Sequence, residues 1–430
     1  MGGDAVLDDL AARGLLHDHT DPAELRSMLA AGPVTVYCGF DPTADSLHVG
    51  NLQSLLLLRR FQLHGHRPIA LAGGATGMIG DPSGRDAERS LLDDATIDAN
   101  LAAIRPQLER FLDFESGPTQ ARLVDNRDWT APMSVLEFLR DVGKHVTVNT
   151  MLAKDSVRSR LGRDSGISFT EFSYMLLQAN DFAVLHRDHD CRLQVAGSDQ
   201  WGNIVAGIDL VRRTAGATVH GLTAPLITGS DGRKFGKSTG GGGLWLDPDR
   251  TSPYRLYQYF MQTDDRDVEP WLLRLTLLGV DEVRAAAAAH AEAPGRRDGQ
   301  ALLARTICGF VHGDEAAAAA AQVSALLFGG SPLEASPTTF EHLAAEIPTA
   351  PVLPGADGRV EVAGLLAAAF GDSKGQVRKN LAGYTINGVR APELGDAVGL
   401  EHLVHGRWAL LRKGKSNYVL GARAGAGGGM

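Results

Sequence analysis

YCGFDPTADSLHVGN, from Tyr37 to Asn51, opens as a strand and ends at the mouth of a helix. The apolar run VTVYCGF (34–40) precedes it, and LQSLLLLRRFQLHG (52–65), with leucines at 55–58, follows. Polar residues at such a junction lie at the carboxyl edge of a parallel sheet, where open α/β folds bind ligands. Working outward, PIALAG (68–73), a long helical stretch after Asp94 and ARLVD (121–125) continue the alternation of short apolar runs with helical segments. That alternation predicts a parallel sheet covered by helices. A mostly helical segment at about 134–187 interrupts it, and LQVA (193–196) followed by SDQWGNIVAGIDLVRR (198–213) resumes it. The fold class expected is therefore α/β, a Rossmann-like parallel-sheet domain with a helical insertion.

The chain has 430 residues, too many for one core, so several domains are expected. Strand signals fade after Thr251, and WLLRLTLLG and ARTICGFVH carry helical spacing, which predicts an α-helical domain over 251–330 after a catalytic domain over 1–250. Residues 331–358, rich in Pro, Gly and Ser, read as a linker, 359–424 as a small last domain and 425–430 as a disordered tail. A 44% hydrophobic and 22% charged composition is that of an ordinary folded protein. The acidic start MGGDAVLDDL and the lack of a long apolar run predict a cytoplasmic protein without a membrane span. Cys38, Cys191 and Cys308 lie too far apart for a disulfide framework or a zinc site, so no metal ligand is assigned. The net charge of -9 argues against non-specific coating of nucleic acid but leaves room for a local basic patch.

Four polar segments carry chemistry. At His48–Asn51, a glycine at the helix entrance, an imidazole and a helix N-terminus suit phosphate oxygens and a base lying close to the backbone, with a surface histidine near a cap as the plain alternative. GGATGMIGDPSG (73–84) is a glycine-rich loop whose Asp81 is either a turn former or a carboxylate for an ammonium group; its spacing is not the GxGxxG of a dinucleotide fold. GSDGRKFGKSTGGGG (229–243) has the composition of a mobile lid, and its Lys234 and Lys237 either solvate a loop or close over polyphosphate. In SFTEFSYMLLQANDF (168–182), Ser168 and Glu171 fit a helix cap, and Tyr174, Gln178 and Asp181 share one helical face. Gln and Asp are rarely buried without partners, so a polar ligand explains that face better than core packing.

In this order, with HVGN and KFGKS separated by nearly 200 residues, these segments resemble the HxGH and KMSKS signatures of class I aminoacyl-tRNA synthetases. Together with LQVAGSDQWGNI and LDPDRTSPYRLYQYF they look like the bacterial tyrosyl-tRNA synthetase family over nearly the whole chain. The resemblance implies activation of L-tyrosine by ATP with Mg2+, then transfer to tRNA(Tyr). It further implies a homodimer with an interface near 136–157, and neither a tightly bound prosthetic group nor zinc. On matching positions it implies Thr43, His48, Lys234 and Lys237 as catalytic. Tyr37, Asp81, Tyr174, Gln178, Asp181 and Gln194 would bind tyrosine, with Leu71 a further candidate for the pocket wall. Cys38, Gly39, Asp41, Gly50, Asn51, Asp199, Gln200 and Ser238 would join the two lysines around ATP or the adenylate. VRKNLAGYTINGVR and LLRKGKSNYVL resemble the family's S4-like RNA-binding domain, implying Arg378, Lys379, Arg412, Lys413 and Lys415 as tRNA-binding. From 357 to 430 ten Lys or Arg stand against six Asp or Glu, a local +4. Asn51 replaces the second histidine of the signature, and Asn180 stands where tyrosine is commoner. A specialised paralogue acting on tyrosine or a modified tyrosine, and a silent tRNA-binding relative, share these motifs.

Overall fold

The computed structural model describes residues 3–423 except 82–91, 153, 155–156, 159–165, 231–234 and 237–242. Two compact units emerge: Met1–Thr251 with Tyr259–Val311, and Ser252–Gln258 with His312–Met430.

In the first unit five parallel strands, β1 (Thr35–Phe40), β2 (Arg67–Ala72), β3 (Arg122–Asp125), β4 (Cys191–Gly197) and β5 (His220–Ala224), lie in the order β3-β2-β1-β4-β5. The α/β reading of the sequence is borne out. β1 is buried along nearly its whole length, as expected of a strand covered on both faces. The chain leaves β1 toward β2 on one side and reaches β4 on the other, so a switch point opens beyond the carboxyl ends of β1 and β4. Leucines 55–58 of the helix Leu52–Leu63 are buried. The long helix Phe169–His189 begins where Ser168 accepts from the Glu171 N–H at 3.2 Å and ends at Asp190 in the left-handed region. Tyr174, Gln178 and Asp181 therefore do share one helix, with Asp181 and Tyr174 buried. Ahead of it, 135–152 is broken into short helical turns.

The helices that follow Thr251 are shared between the units: Asp265–Leu275 and Val280–Glu292 go with the parallel sheet, Asp314–Leu327 with the second unit. Segment 331–358 is more ordered than its composition suggests. Ser336 caps the helix Pro337–Glu346, whose Phe340 and Leu343 are fully buried, and Thr349–Pro351 adds a strand. A proline at the first helical position, where no amide hydrogen is needed, is compatible with helix rather than against it. The second unit holds a five-stranded sheet in which Asn417–Ala422 and Trp408–Lys413 are central, and Phe340 stacks on Trp408 with ring centres 6.1 Å apart.

Candidate active site

A cleft of about 1060 Å³ occupies the switch point. Tyr37 to Asp41 come to it from β1, Thr43 to Ser54 from the loop and helix start, Leu71 from β2, Tyr174, Gln178 and Asp181 from the helix Phe169–His189, and Gln194, Asp199 and Gln200 from β4 and its exit. Asp81 completes it, so every sequence-derived candidate of the first unit within the described residues lines this one cleft. Lys234, Lys237 and Ser238 lie outside the described residues, as does 82–84 of the glycine-rich segment.

At its deep end Tyr37 is 1% exposed and meets Phe182 edge-on at 5.2 Å. Its hydroxyl has no hydrogen-bond partner among the described residues, nor have Gln178 Oε1 and Gln194 Oε1. Burial first, then the Asp181 charge, pushes the Tyr37 phenol well above its ordinary range. Asp181 is 2% exposed, and burial raises its carboxyl to about 7 against two donated hydrogen bonds, from Asn126 Nδ2 at 3.0 Å and Trp129 Nε1 at 2.9 Å. Neither donor was singled out in the sequence; their position just beyond a sheet strand, in VDNRDWT, was the available signal. Asn126 Nδ2 also reaches Thr76 Oγ1 at 3.0 Å, which donates to Asp41 Oδ1 at 2.8 Å, while the Tyr174 hydroxyl donates to Asp41 Oδ2 at 3.0 Å. One hydrogen-bonded chain thus joins the phenol end of the cleft to Asp41. Nearby, Gln200 Nε2 donates to Asp81 Oδ2 at 2.7 Å. Burial, then Asp81, raises Asp199 above the usual carboxylate range.

At the open end His48 and Asn51 form a reciprocal cap: Gly50 N–H donates to His48 Nδ1 at 3.0 Å and His48 N–H to Asn51 Oδ1 at 3.1 Å. An Nδ1 that accepts leaves Nε2 as the proton-bearing donor of the neutral ring. Gly50 has a second reason to be glycine besides the approach of a base, because a Cβ there would stand 2.6 Å from His48 Cε1. The same holds at Gly73, where a Cβ would lie 2.0 Å from Asp41 Oδ1; the glycine-rich segment, read as a loop, turns into the short helix Thr76–Ile79 and admits a protein carboxylate. The two signature segments meet: Gly236, with φ +79°, would thrust a Cβ to 2.7 Å from Val49 Cγ2. Its N–H donates to the Tyr259 hydroxyl at 2.9 Å, and Phe235 packs edge-on against Trp271 at 5.1 Å. Val49 N–H donates to Leu244 O at 2.9 Å, so the chain just after the four glycines is tied to the helix entrance.

Of the basic residues in the second unit, Arg378 pairs with Glu361 at 2.9 Å and Lys413 with Asp372 at 2.7 Å. Arg412 is half-buried, and Lys379 and Lys415 are exposed.

A 3-2-1-4-5 parallel sheet with HVGN after its first strand, and with Gly236 from the KFGKS sequence against Val49, defines a class I aminoacyl-tRNA synthetase catalytic unit. The family of class I tRNA synthetases for W and Y matches residues 29–329. The chain is 54% identical over 421 residues to the tyrosine–tRNA ligase of Opitutus terrae, covering 96% of this chain and 99% of that one. With the Mycobacterium tuberculosis tyrosine–tRNA ligase it shares 50% over 415 residues, or 95% and 97% of the two chains. A C-terminally truncated mitochondrial tyrosyl-tRNA synthetase of Aspergillus nidulans superposes with TM-score 0.69 at 32% identity, over 75% of this chain and 94% of that one. The chain belongs to the tyrosine–tRNA ligase family.

Proposed function

We propose that the cleft binds L-tyrosine with its phenol between Tyr37 and Asp181, its ammonium among Asp81, Tyr174 and Gln178, and Gln194 and Leu71 on the wall. The observation that carries this reading is the set of buried polar atoms without partners among the described residues, Tyr37 OH, Gln178 Oε1 and Gln194 Oε1, beside an Asp181 already held by two donors. Buried polar groups are ordinarily paired, and a ligand carrying a phenol and an ammonium would pair these.

ATP, entering with its Mg2+, takes the open end along Cys38, Gly39, Asp41, Gly50, Asn51, Asp199 and Gln200. The tyrosine carboxylate oxygen attacks the α-phosphorus, the bond to the bridging oxygen breaks, and pyrophosphate leaves with its electron pair. The 3'-terminal ribose hydroxyl of tRNA(Tyr) then displaces AMP from the adenylate. No side chain forms a covalent bond, so the protein contributes position and charge. Thr43 and His48 Nε2 donate to phosphate oxygens as charge accumulates, and Lys234, Lys237 and Ser238 close over pyrophosphate. A preorganised donor of this kind contributes about 3 kcal/mol to the transition state. Tyrosine-dependent exchange of pyrophosphate into ATP tests the reading; absence of exchange, or equal exchange with phenylalanine, refutes it.

The helical region 251–330 and the domain 359–424 serve tRNA, and the chain works in the cytoplasm. No helix among the described residues is long and apolar enough to cross a membrane. Val135, Leu136, Leu139 and Val148 are large apolar side chains exposed close together in sequence, which supports a homodimer with its interface near 136–157. Sedimentation as a monomer at working concentration would reject that assembly.

A further inference from the structure

Behind Asp81 runs a line of hydrogen bonds that starts on a lysine. Lys154, just past the helix Val148–Leu152, donates from Nζ to Asn203 Oδ1. Asn203, 2% exposed, donates from Nδ2 to Gln200 Oε1 at 2.8 Å, and Gln200 donates from Nε2 to Asp81 Oδ2 at 2.7 Å. Gln178 Nε2 reaches the same Gln200 oxygen at 3.5 Å.

An ammonium has three donors and no acceptor and an ionised carboxylate only accepts, so Lys154 and Asp81 fix the direction of the line from its two ends. Asn203 must turn its oxygen to Lys154 and its NH2 to Gln200. Gln200 then accepts at Oε1 and has only Nε2 to offer Asp81. Gln178, its nitrogen committed to Gln200, keeps Oε1 as a buried acceptor without a partner among the described residues. Acceptors therefore face the place proposed for the substrate ammonium. Without the ammonium, Asn203 could turn its oxygen toward Gln200 Oε1, and the repulsion would push Gln200, held to Asp81 by Nε2, and with it Gln178 out of line. Burial lowers the Lys154 ammonium to about 8, with Asp81 acting in the opposite sense, so it stays mostly charged at neutral pH.

We propose that Lys154, acting through Asn203 and Gln200, is a positioning residue that orients the acceptors for the amino group of the substrate. This rests on the placement of that group at Asp81, Tyr174 and Gln178. The competing role is a staple joining 148–154 to the helix Trp201–Ala215, which would disturb all ligands alike.

Lys154→Met separates them when the KM for tyrosine is compared with inhibition by 3-(4-hydroxyphenyl)propionate, which lacks the amino group. The tyrosine KM rises roughly tenfold, as for loss of one hydrogen bond to a charged group, while the inhibition constant stays within about twofold. Lys154→Arg, still a pure donor, restores the tyrosine KM, and Asn203→Leu breaks the same line if Lys154→Met does not fold. An unchanged tyrosine KM in both variants, or an inhibition constant that rises by the same factor, overturns the proposal. Asp81→Asn distinguishes failure of the premise: if it too leaves tyrosine and the desamino analogue equally affected, the ammonium placement itself falls, whereas a selective effect there with none at Lys154 or Asn203 removes only the positioning role.

Discussion

Trp129 Nε1 donates a 2.9 Å hydrogen bond to Asp181 Oδ1, on the carboxylate whose other oxygen receives Asn126. Both donors hold the acid against the burial that raises it. A hydrogen bond to a charged group contributes about 1.5–3 kcal/mol, so Trp129→Phe is expected to raise the tyrosine KM roughly 10- to 100-fold, with the ATP KM little changed. Steady-state pyrophosphate exchange at varied tyrosine and ATP measures both. Equal changes in the two KM values would mean that the tryptophan only packs.

Asp181 also sets a pH dependence. Its carboxyl, raised to about 7 mainly by burial, keeps a proton in the native protein that an unfolded chain has already released. The resulting stabilisation is full below the ordinary carboxylate range and is lost as pH rises to about 7. In the proposed site, tyrosine binding follows the opposite sense, because the substrate phenol would donate to the ionised acid. Affinity without ATP should fall up to tenfold per unit below about pH 7 and level off above it, with proton release on binding at acid pH. Calorimetry between about pH 5.5 and 8 in buffers of different ionisation enthalpy reads both; an affinity flat over this range would show that Asp181 does not accept the phenol.

Gly50→Ala tests the phosphate end. The new Cβ would fall 2.6 Å from His48 Cε1, so the imidazole must swing away and give up the Gly50 N–H on Nδ1. In the proposed site the bond fixes which nitrogen would donate to the phosphates, and its loss should cost about 10- to 100-fold in the rate of adenylate formation. Single-turnover kinetics at saturating substrates measures this, and the tyrosine KM should stay near the parent value. A normal rate would show that the ring's orientation is not needed.

The sheet, its site-bearing edge and most of the cleft were legible because strand-to-helix junctions and helical spacing are local signals. Tyr174, Gln178 and Asp181 share a face by arithmetic alone. The residues that hold them were not legible. Asn126 and Trp129 reach Asp181 across more than 50 positions, and Lys154 reaches Asn203 across 49. Such partners are chosen by packing, which leaves no period in the sequence. The glycines have reasons of the same hidden kind: at Gly50 and Gly73 the groups a Cβ would meet are His48 and Asp41 of the chain itself. Composition was least informative at 331–358, where Ser336 caps and Pro337 opens a helix with a buried Phe340.

The second unit sharpens which basic residues should meet tRNA. Arg378 and Lys413 are already paired with Glu361 and Asp372, so bringing phosphate to them competes with an existing partner. Lys379 and Lys415 are exposed, on a short helix and a hairpin turn respectively. Each phosphate contact releases a counterion and steepens the fall of log affinity with log salt by roughly 0.7–0.9. Replacing both lysines with alanine should therefore weaken tRNA binding several-fold near physiological salt and reduce that slope by roughly 1.4–1.8, while pyrophosphate exchange stays unchanged. Binding titrations at several salt concentrations, beside the exchange assay, measure the two effects separately. An unaltered slope would move the tRNA contact away from these two lysines, and a matching loss of exchange would mean that the substitutions act on the catalytic unit instead.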